Sequence, residues 1–385
     1  MALVPVGAVV AIGAMSLGAP DLKADVLRVP ADFATIQSAA DAASSGDTIL
    51  VAPGSYRERV VAFTKDLTIV SEAGAASTLL LGPKVDVPSN VWIHISSEST
   101  LQGFSLSSDP ESAAWIRVSG VGTSGLPGAL IADNVFDGAG AGLRFRPLLQ
   151  FNDSAGRVER NIFRNWQIDQ SVIDRGVVET VNSGTVEVIN NLFADNQSTG
   201  VEISSNQTPN LVVNNHFLRN HKGIWAGAPS AGSVFRNNLL VDNEVGLDVH
   251  PFGPAIVWSN NLVWNNGEDF VGFADPTGMD GNLRADPLLL PGEDLLFSEG
   301  SPVVDTGTDL DAPPIDLQGS ARPVDGDRNG VPLWDIGAIE FVPSAVSIVA
   351  VPTLDAPGMI LMTVLLLAAG LWIRRKRRKS PSSAG

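Results

Sequence analysis

NNLFADN (190–196), NNHFLRN (214–220), NNLLVDN (237–243) and NNLVWNN (260–266) are four versions of one phrase. The second Asn of each copy, at Asn191, Asn215, Asn238 and Asn261, recurs after 24, 23 and 23 residues. Five places on stands another Asn: Asn196, Asn220, Asn243 and Asn266. Two places after the marker comes an apolar residue, Phe193, Phe217, Leu240 or Val263. A unit this short cannot bury its own apolar face, so it must stack on copies of itself as one coil of a solenoid.

The same marker appears upstream at wider spacing, as Asn134 with Phe136 and Asn161 with Phe163. Short strands are predicted at Leu67 to Val70, Thr78 to Leu81, Val91 to Ile95 and Gly103 to Leu106. Excursions such as Ser119 to Gly128 absorb the extra length as loops, and about nine coils are expected. Stacking at about 4.8 Å places each residue over its equivalent in the next coil. An Asn at a tight corner tolerates unusual backbone angles, and its amide can bond the Asn above and below. That accounts for the Asn columns without assigning them chemistry.

The register set by the markers exposes a different column. The following strands align as VEIS (201–204), IWAG (224–227), LDVH (247–250) and FVGF (270–273). Alternation turns Val201, Ile224, Leu247 and Phe270 inward. It turns Glu202, Trp225, Asp248 and Val271 outward, with Ser204, Gly227, His250 and Phe273 beside them. Glu202, Trp225 and Asp248 are the candidate ligand-binding residues, because two carboxylates around an indole suit a sugar. Glu202, Asp248 and His250 are the candidates for any catalysis. Two coils separate the carboxylates by about 9.6 Å, at the edge of the spacing of an inverting glycosidase. A solvated outer face with an incidental Trp is the competing reading.

Composition excludes several classes. The 385 residues carry a formal charge of -17, which opposes nucleic-acid binding, and contain no Cys, which removes disulfides and thiolate chemistry. The four His (His94, His216, His221 and His250) suggest no zinc set.

Before the coils, Thr35 to Ala43 has a helical pattern with Ile36, Ala39, Ala40 and Ala43 on one face, and Thr35 or Asp32 as cap. Thr48 to Ala52 is a strand and Pro53-Gly54 a turn. Such a helix would cover the open first coil. This segment, continuing through KDLTIVSEAG (65–74), resembles the opening of pectin-lyase-like right-handed parallel β-helices, pectinesterases included. The resemblance implies an all-β, single-stranded parallel β-helix with an N-terminal capping helix. The pectinesterase QDT, DFIFG and Arg-Pro-Trp motifs and the polygalacturonase DD and GHG motifs are missing; Arg322-Pro323 is followed by Val324. Lyase sites follow no such strings.

The ends read as addresses. Ala2 to Ala19 is apolar and resembles a secretory signal, although no cation precedes Lys23. Met359 to Ile373 is an apolar run followed by RRKRRK (374–379), which predicts a transmembrane helix with a cytoplasmic basic tail. With VPTLDAPG (351–358) ahead of it, this end resembles the IPTL/PEP-CTERM sorting signals of Gram-negative bacteria, with Val351 in place of the usual Ile. That resemblance implies an exosortase-type partner and a surface or extracellular destination. Ala285-Asp286-Pro287-Leu288, Ser301-Pro302 with Asp305 and Gly307, Arg322-Pro323, and Asp335-Ile336-Gly337-Ala338 with Glu340 resemble the C-terminal region of choice-of-anchor Q surface proteins. The expected domains are a signal at 1–24, the solenoid at 25–281, the choice-of-anchor-like region at 282–341, a linker and sorting motif at 342–356, and the membrane helix with its tail at 357–379.

Asp325, Asp327 and Asn329 with Gly330 match the opening of a Ca²⁺ loop, and Asp335 stands one place before the expected closing carboxylate. These four are the candidate ligands of an irregular calcium site, against the plain reading of an Asp/Asn/Gly turn. The preferred function is an exported, non-enzymatic surface protein that binds polysaccharide or serves in extracellular matrix. The alternative is a polysaccharide lyase or glycoside hydrolase acting on an acidic glycan.

Overall fold

A computed structural model describes residues 24–83, 91–107, 115–119, 128–138, 147–167, 175–204, 208–250 and 255–343. The signal-like segment, the sorting motif and the expected membrane helix lie outside the described residues. Among the described residues no helix is long and apolar enough to cross a membrane.

Each repeat makes three short strands. In the best-formed region they are Val186–Ile189, Leu192–Ala194 and Thr199–Ser204, then Leu211–Val213, His216–Leu218 and Lys222–Ala226 one coil later. Each strand pairs in parallel with its equivalents in the neighbouring coils, giving three sheets of ten, ten and nine strands. They are called the first, second and third sheets in chain order. The chain is a parallel β-helix, with about the expected number of coils.

The doubled Asn explains the corner between the first and second sheets. Only two residues make that turn, so one must adopt a left-handed conformation, which Asn tolerates better than most residues. It is the first Asn of each pair: φ is 54° at Asn190, 55° at Asn214, 53° at Asn237 and 51° at Asn260. The second Asn forms the ladder. Asn191 Nδ2 donates to Asn215 Oδ1, Asn215 to Asn238 and Asn238 to Asn261, each at 3.0 Å. The corner strain and the ladder, both expected of the marker Asn, are therefore divided between two residues. A second ladder runs through Asn196, Asn220, Asn243 and Asn266 at 2.8–3.0 Å.

The apolar residue two places after the marker points inward, as expected. Phe136, Phe163, Phe193 and Phe217 stack with centroids 4.6, 4.9 and 4.9 Å apart, which matches the coil spacing. Leu240 and Val263 continue the column as buried residues. At the N-terminal side lies one helix, Ile36–Ala42, with Thr35 as N-cap in a capping box with Ser38. Ile36, Ala39, Ala40 and Ala43 are buried in the same core as the coil interiors.

Residues beyond the last coil do not form a detached domain. Leu283–Arg284 still pairs with the second sheet, so the register runs slightly past the expected boundary at 281. The following irregular lobe folds back over that sheet's outer face. Phe297, Val303, Ile336 and Ile339 pack on Leu192, Leu218, Leu239, Val241 and Leu262. The left-handed Asn residues hold it. Asn190 Nδ2 donates to Ile315 O, Asn214 to the Asp335 and Gly337 carbonyls, Asn237 to Thr308 O and Asn260 to Thr306 O. Gly337, at φ 104°, packs so closely on His216 that a Cβ there would lie 2.2 Å from Nε2.

Within the lobe is a buried ionic cluster. Arg322 pairs with Glu340 at 3.4 Å, both side chains fully enclosed, and donates to the Asp335 and Gly337 carbonyls. Asp335 accepts from the Asp305 and Phe341 N–H groups; burial, reinforced by Glu340, pushes its carboxyl up to about 7. His216 bonds the Asp294 carbonyl, and burial holds its imidazole down at about 3.

Candidate functional site

The third sheet carries one outward column through all its strands: Val61, His94, Arg117, Gln150, Glu179, Glu202, Trp225, Asp248 and Val271 are successive register partners. The expected alignment of Glu202, Trp225, Asp248 and Val271 is the one observed, as is that of Val201, Ile224, Leu247 and Phe270. The irregular N-terminal coils add a second half to the column, with seven consecutive positions that are polar or aromatic.

Trp225 is half-buried, and Gly227 determines how it sits. A Cβ on Gly227 would lie 2.6 Å from Cζ2 and 2.7 Å from Cη2 of the indole. The ring therefore lies down along the strand over the bare glycine instead of standing off the sheet. Beside it, Lys222 Nζ and Asp248 Oδ2 form an ion pair at 2.9 Å, each side chain largely shielded. His250 is exposed at the strand's end. A flat indole edged by hydrogen-bonding groups has the chemistry of a sugar platform, whose C–H face packs on the ring while its hydroxyls reach the rim.

Glu202 is in the column but does not reach solvent; it is 2 % exposed. Its Oε2 accepts from Gly176 N–H at 2.7 Å and its Oε1 from Ser204 Oγ at 2.8 Å. Glu179, also buried, is its register partner and pairs with Arg175, while Gln150 Nε2 donates to it at 2.6 Å. Burial, then the neighbouring Glu179 charge, pushes the Glu202 carboxyl up to about 7. The expected triad is thus split: Trp225 and Asp248 line the accessible face, and Glu202 lies beneath it. Alternation along a strand shows which way a side chain points, not what covers it. Glu179 escaped the sequence reading because its coil is out of step with the regular repeat.

The acidic residues of the lobe rearrange in a similar way. Among the described residues the group able to converge on a metal is Asp305, Asp325 and Asp327, with one oxygen of each within 4.8 Å of the others. These hard oxygen ligands could hold a divalent cation. Asn329 is not added to them; its Nδ2 donates to Asp327 Oδ2 and its Oδ1 caps a turn at Val331 N–H. Asp335 faces the buried cluster instead, and Asp305, unmarked by the loop pattern, takes its place.

Comparison with known proteins places these features in context. A family model described as a right-handed β-helix region matches residues 96–275. No relative among curated proteins matches the chain. Among solved structures, the pectate lyase Pel9A aligns with a TM-score of 0.49 at 10% identity, covering 83% of this chain and 96% of that one. The PL6-family alginate lyase AlyGC aligns with a TM-score of 0.28 at 13% identity, covering 69% of this chain and 54% of that one. That family model describes right-handed helices, the sense that the resemblance of the sequence implies.

Proposed function

We propose that the protein is an exported, surface-sorted β-helix that holds a polysaccharide on the outer face of its third sheet without cleaving it, in cell-surface or extracellular-matrix attachment. The observation that carries this reading is the Trp225 indole laid flat over Gly227, beside the Lys222–Asp248 pair. The helix Ile36–Ala42 is read as the cover of the first coil. The lobe is read as the choice-of-anchor Q-like region that precedes the sorting motif. The end at 351–379 is the proposed substrate of an exosortase-type enzyme, with the membrane as its interim anchor.

A lyase or hydrolase acting on an acidic glycan is the second reading, and one observation favours it. Glu202 holds its proton near neutrality, as a general acid must. Its burial ranks this reading second, because a glycosidic oxygen would have to reach an enclosed carboxyl whose oxygens already accept from Gly176 N–H and Ser204 Oγ.

Retention on immobilised polysaccharides tests the proposal. The protein is expected to be retarded on at least one glycan matrix, and Trp225→Ala to abolish the retardation while leaving the thermal melt unchanged. Equal retention of the Trp225→Ala variant would refute the site. Release of new reducing or unsaturated ends from the bound glycan would move the assignment to the second reading.

A further inference from the structure

The lobe draws three carboxylates together and gives them no cation. Asp305, Asp325 and Asp327 each bring one oxygen within 4.8 Å of the other two. Asp305 is 7% exposed, and its Oδ1 and Oδ2 accept from the Leu333 and Asp327 N–H groups at 2.9 and 2.8 Å. Among the described residues no Lys or Arg forms an ion pair with any of the three; the arginines nearest in the chain are committed elsewhere, Arg322 to Glu340 and Arg328 to Glu299. Like charges this close repel, and backbone N–H groups offset only part of that repulsion.

One oxygen separates this group from a plain acidic turn. Asp325 Oδ1 exposes less than 1 Å² and has no hydrogen-bond partner. Its twin, Oδ2, accepts from Gly330 N–H at 2.9 Å, so the carboxylate is held in place with one enclosed oxygen bare. A charged oxygen shut away from both donors and water is costly, and a turn has no need of it. A divalent cation removes that cost by taking the bare oxygen as a ligand. The oxygens of Asp305 and Asp327 that accept an N–H each keep a further lone pair for the same ion. Oxygens within 4.8 Å of one another suit a shell about 2.4 Å from a central Ca²⁺, whereas Mg²⁺, at about 2.1 Å, needs a tighter and more regular set.

We propose that Asp305, Asp325 and Asp327 bind one Ca²⁺, and that the ion ties the loop at 325–330 to the segment that fastens the lobe on the solenoid. Asp305 stands next to Thr306, and the Thr306 and Thr308 carbonyls receive the amides of Asn260 and Asn237. The Asp305 N–H donates to Asp335 Oδ1 at 2.7 Å, so the same residue also reaches the buried cluster of Arg322 and Glu340. An ion at this point cancels the charge that drives 305 away from 325 and 327, and thereby tightens the clasp. The role is structural and does not depend on what the third sheet binds.

Titration calorimetry and thermal melting of the whole protein, stripped with a chelator and dialysed, test the assignment. Ca²⁺ is expected to bind one to one and, at about a hundredfold excess over its Kd, to raise the melting midpoint by at least about 2 °C. Mg²⁺ should bind at least about tenfold more weakly. Asp325→Asn keeps an acceptor for Gly330 N–H, and should weaken Ca²⁺ at least about tenfold and cancel the rise in the melt. Asp327→Asn, at an exposed position, supplies the same test should Asp325→Asn fail to fold. Glu293→Gln, exposed in the same lobe, should bind Ca²⁺ as the wild type does. Stripping Ca²⁺ should speed hydrogen exchange at the Thr308 amide, which donates to Asn237, and leave coil amides upstream of Asn161 protected. No Ca²⁺ binding by the wild type, or undiminished binding by a folded Asp variant, overturns the site. Mg²⁺ binding as tight as Ca²⁺ overturns the choice of ion, and Ca²⁺ binding that leaves Thr308 exchange unchanged overturns the link to the clasp.

Discussion

Replacing Asn215 by Ala probes the ladder at a fully connected rung. The side chain is fully buried. Its Oδ1 accepts from the Asn191 backbone N–H at 2.9 Å and from Asn191 Nδ2 at 3.0 Å. Its Nδ2 donates to the Val188 and Val213 carbonyls at 2.8 and 3.1 Å and to Asn238 Oδ1 at 3.0 Å. Alanine strands the Asn191 N–H in a dry interior and removes a donor from Val188. At about 1–3 kcal/mol for each stranded group, the expected loss is about 3–5 kcal/mol. Asn215→Asp should be at least as damaging, because the carboxylate would face three acceptors with nothing to donate. Asn265→Gly is the control: that side chain is exposed, bonds only Asp242, and glycine keeps its left-handed φ of 53°, so the change should stay within about 0.5 kcal/mol. Urea unfolding followed by far-ultraviolet circular dichroism measures all three. A loss below about 1 kcal/mol for Asn215→Ala, or an Asp variant more stable than the Ala variant, would refute the ladder as the source of stability.

Two further outcomes follow from the lobe and the buried titratable groups. Asn237→Gly keeps the left-handed corner but removes the bonds to Thr308, so lobe amides such as Thr308 and Gly337 should exchange hydrogen faster while coil amides upstream of Asn161 keep their protection. Stability should also plateau at mildly acidic pH. Glu202 and Asp335, raised to about 7 from 4.5 and 3.8, contribute stability that is complete below those lower values and lost as pH rises through 7. His94 and His216, lowered to about 4 and 3 from 6.5, contribute stability that is present above 6.5 and lost as pH falls through the lowered values. The two trends offset between about pH 5 and 6; above about 6.5 the imidazoles no longer compensate, and the two carboxylates together cost on the order of 1 kcal/mol by pH 7. Chemical denaturation from pH 4 to 9 should show the plateau, and Glu202→Gln with Asp335→Asn should flatten its alkaline slope; an unchanged slope would contradict the burial argument.

The solenoid was legible because its repeat acts locally. A 23-residue step brings equivalent residues into register, so Phe193 over Phe217 and Trp225 beside Asp248 could be placed from spacing alone. What escaped depended on contacts between distant segments. The first Asn of each pair reads as a corner residue, and nothing near Asn214 announces that Asp335 and Gly337 will receive its amide. Glu202 was assigned the right direction but the wrong exposure, since its cover includes Gly176 and Glu179 from an irregular coil. His94 and Arg117 belong to the same column, yet unequal loops between their strands hide the alignment from any fixed period. Asp305 joined Asp325 and Asp327 only through the folding of the lobe.

The clasp of the lobe on four successive left-handed Asn residues has a consequence for how this chain can change in length. The carbonyls of Thr306, Thr308, Asp335, Gly337 and Ile315 act as fixed teeth that mesh with Asn260, Asn237, Asn214 and Asn190 at the coil pitch. A coil added or deleted upstream of Asn190 leaves that mesh untouched and merely lengthens or shortens the rod. The same change between Asn190 and Asn260 throws every tooth out of step. The last four coils and the lobe are therefore one indivisible buckle, and the freedom to vary the reach of the molecule belongs to the coils before it.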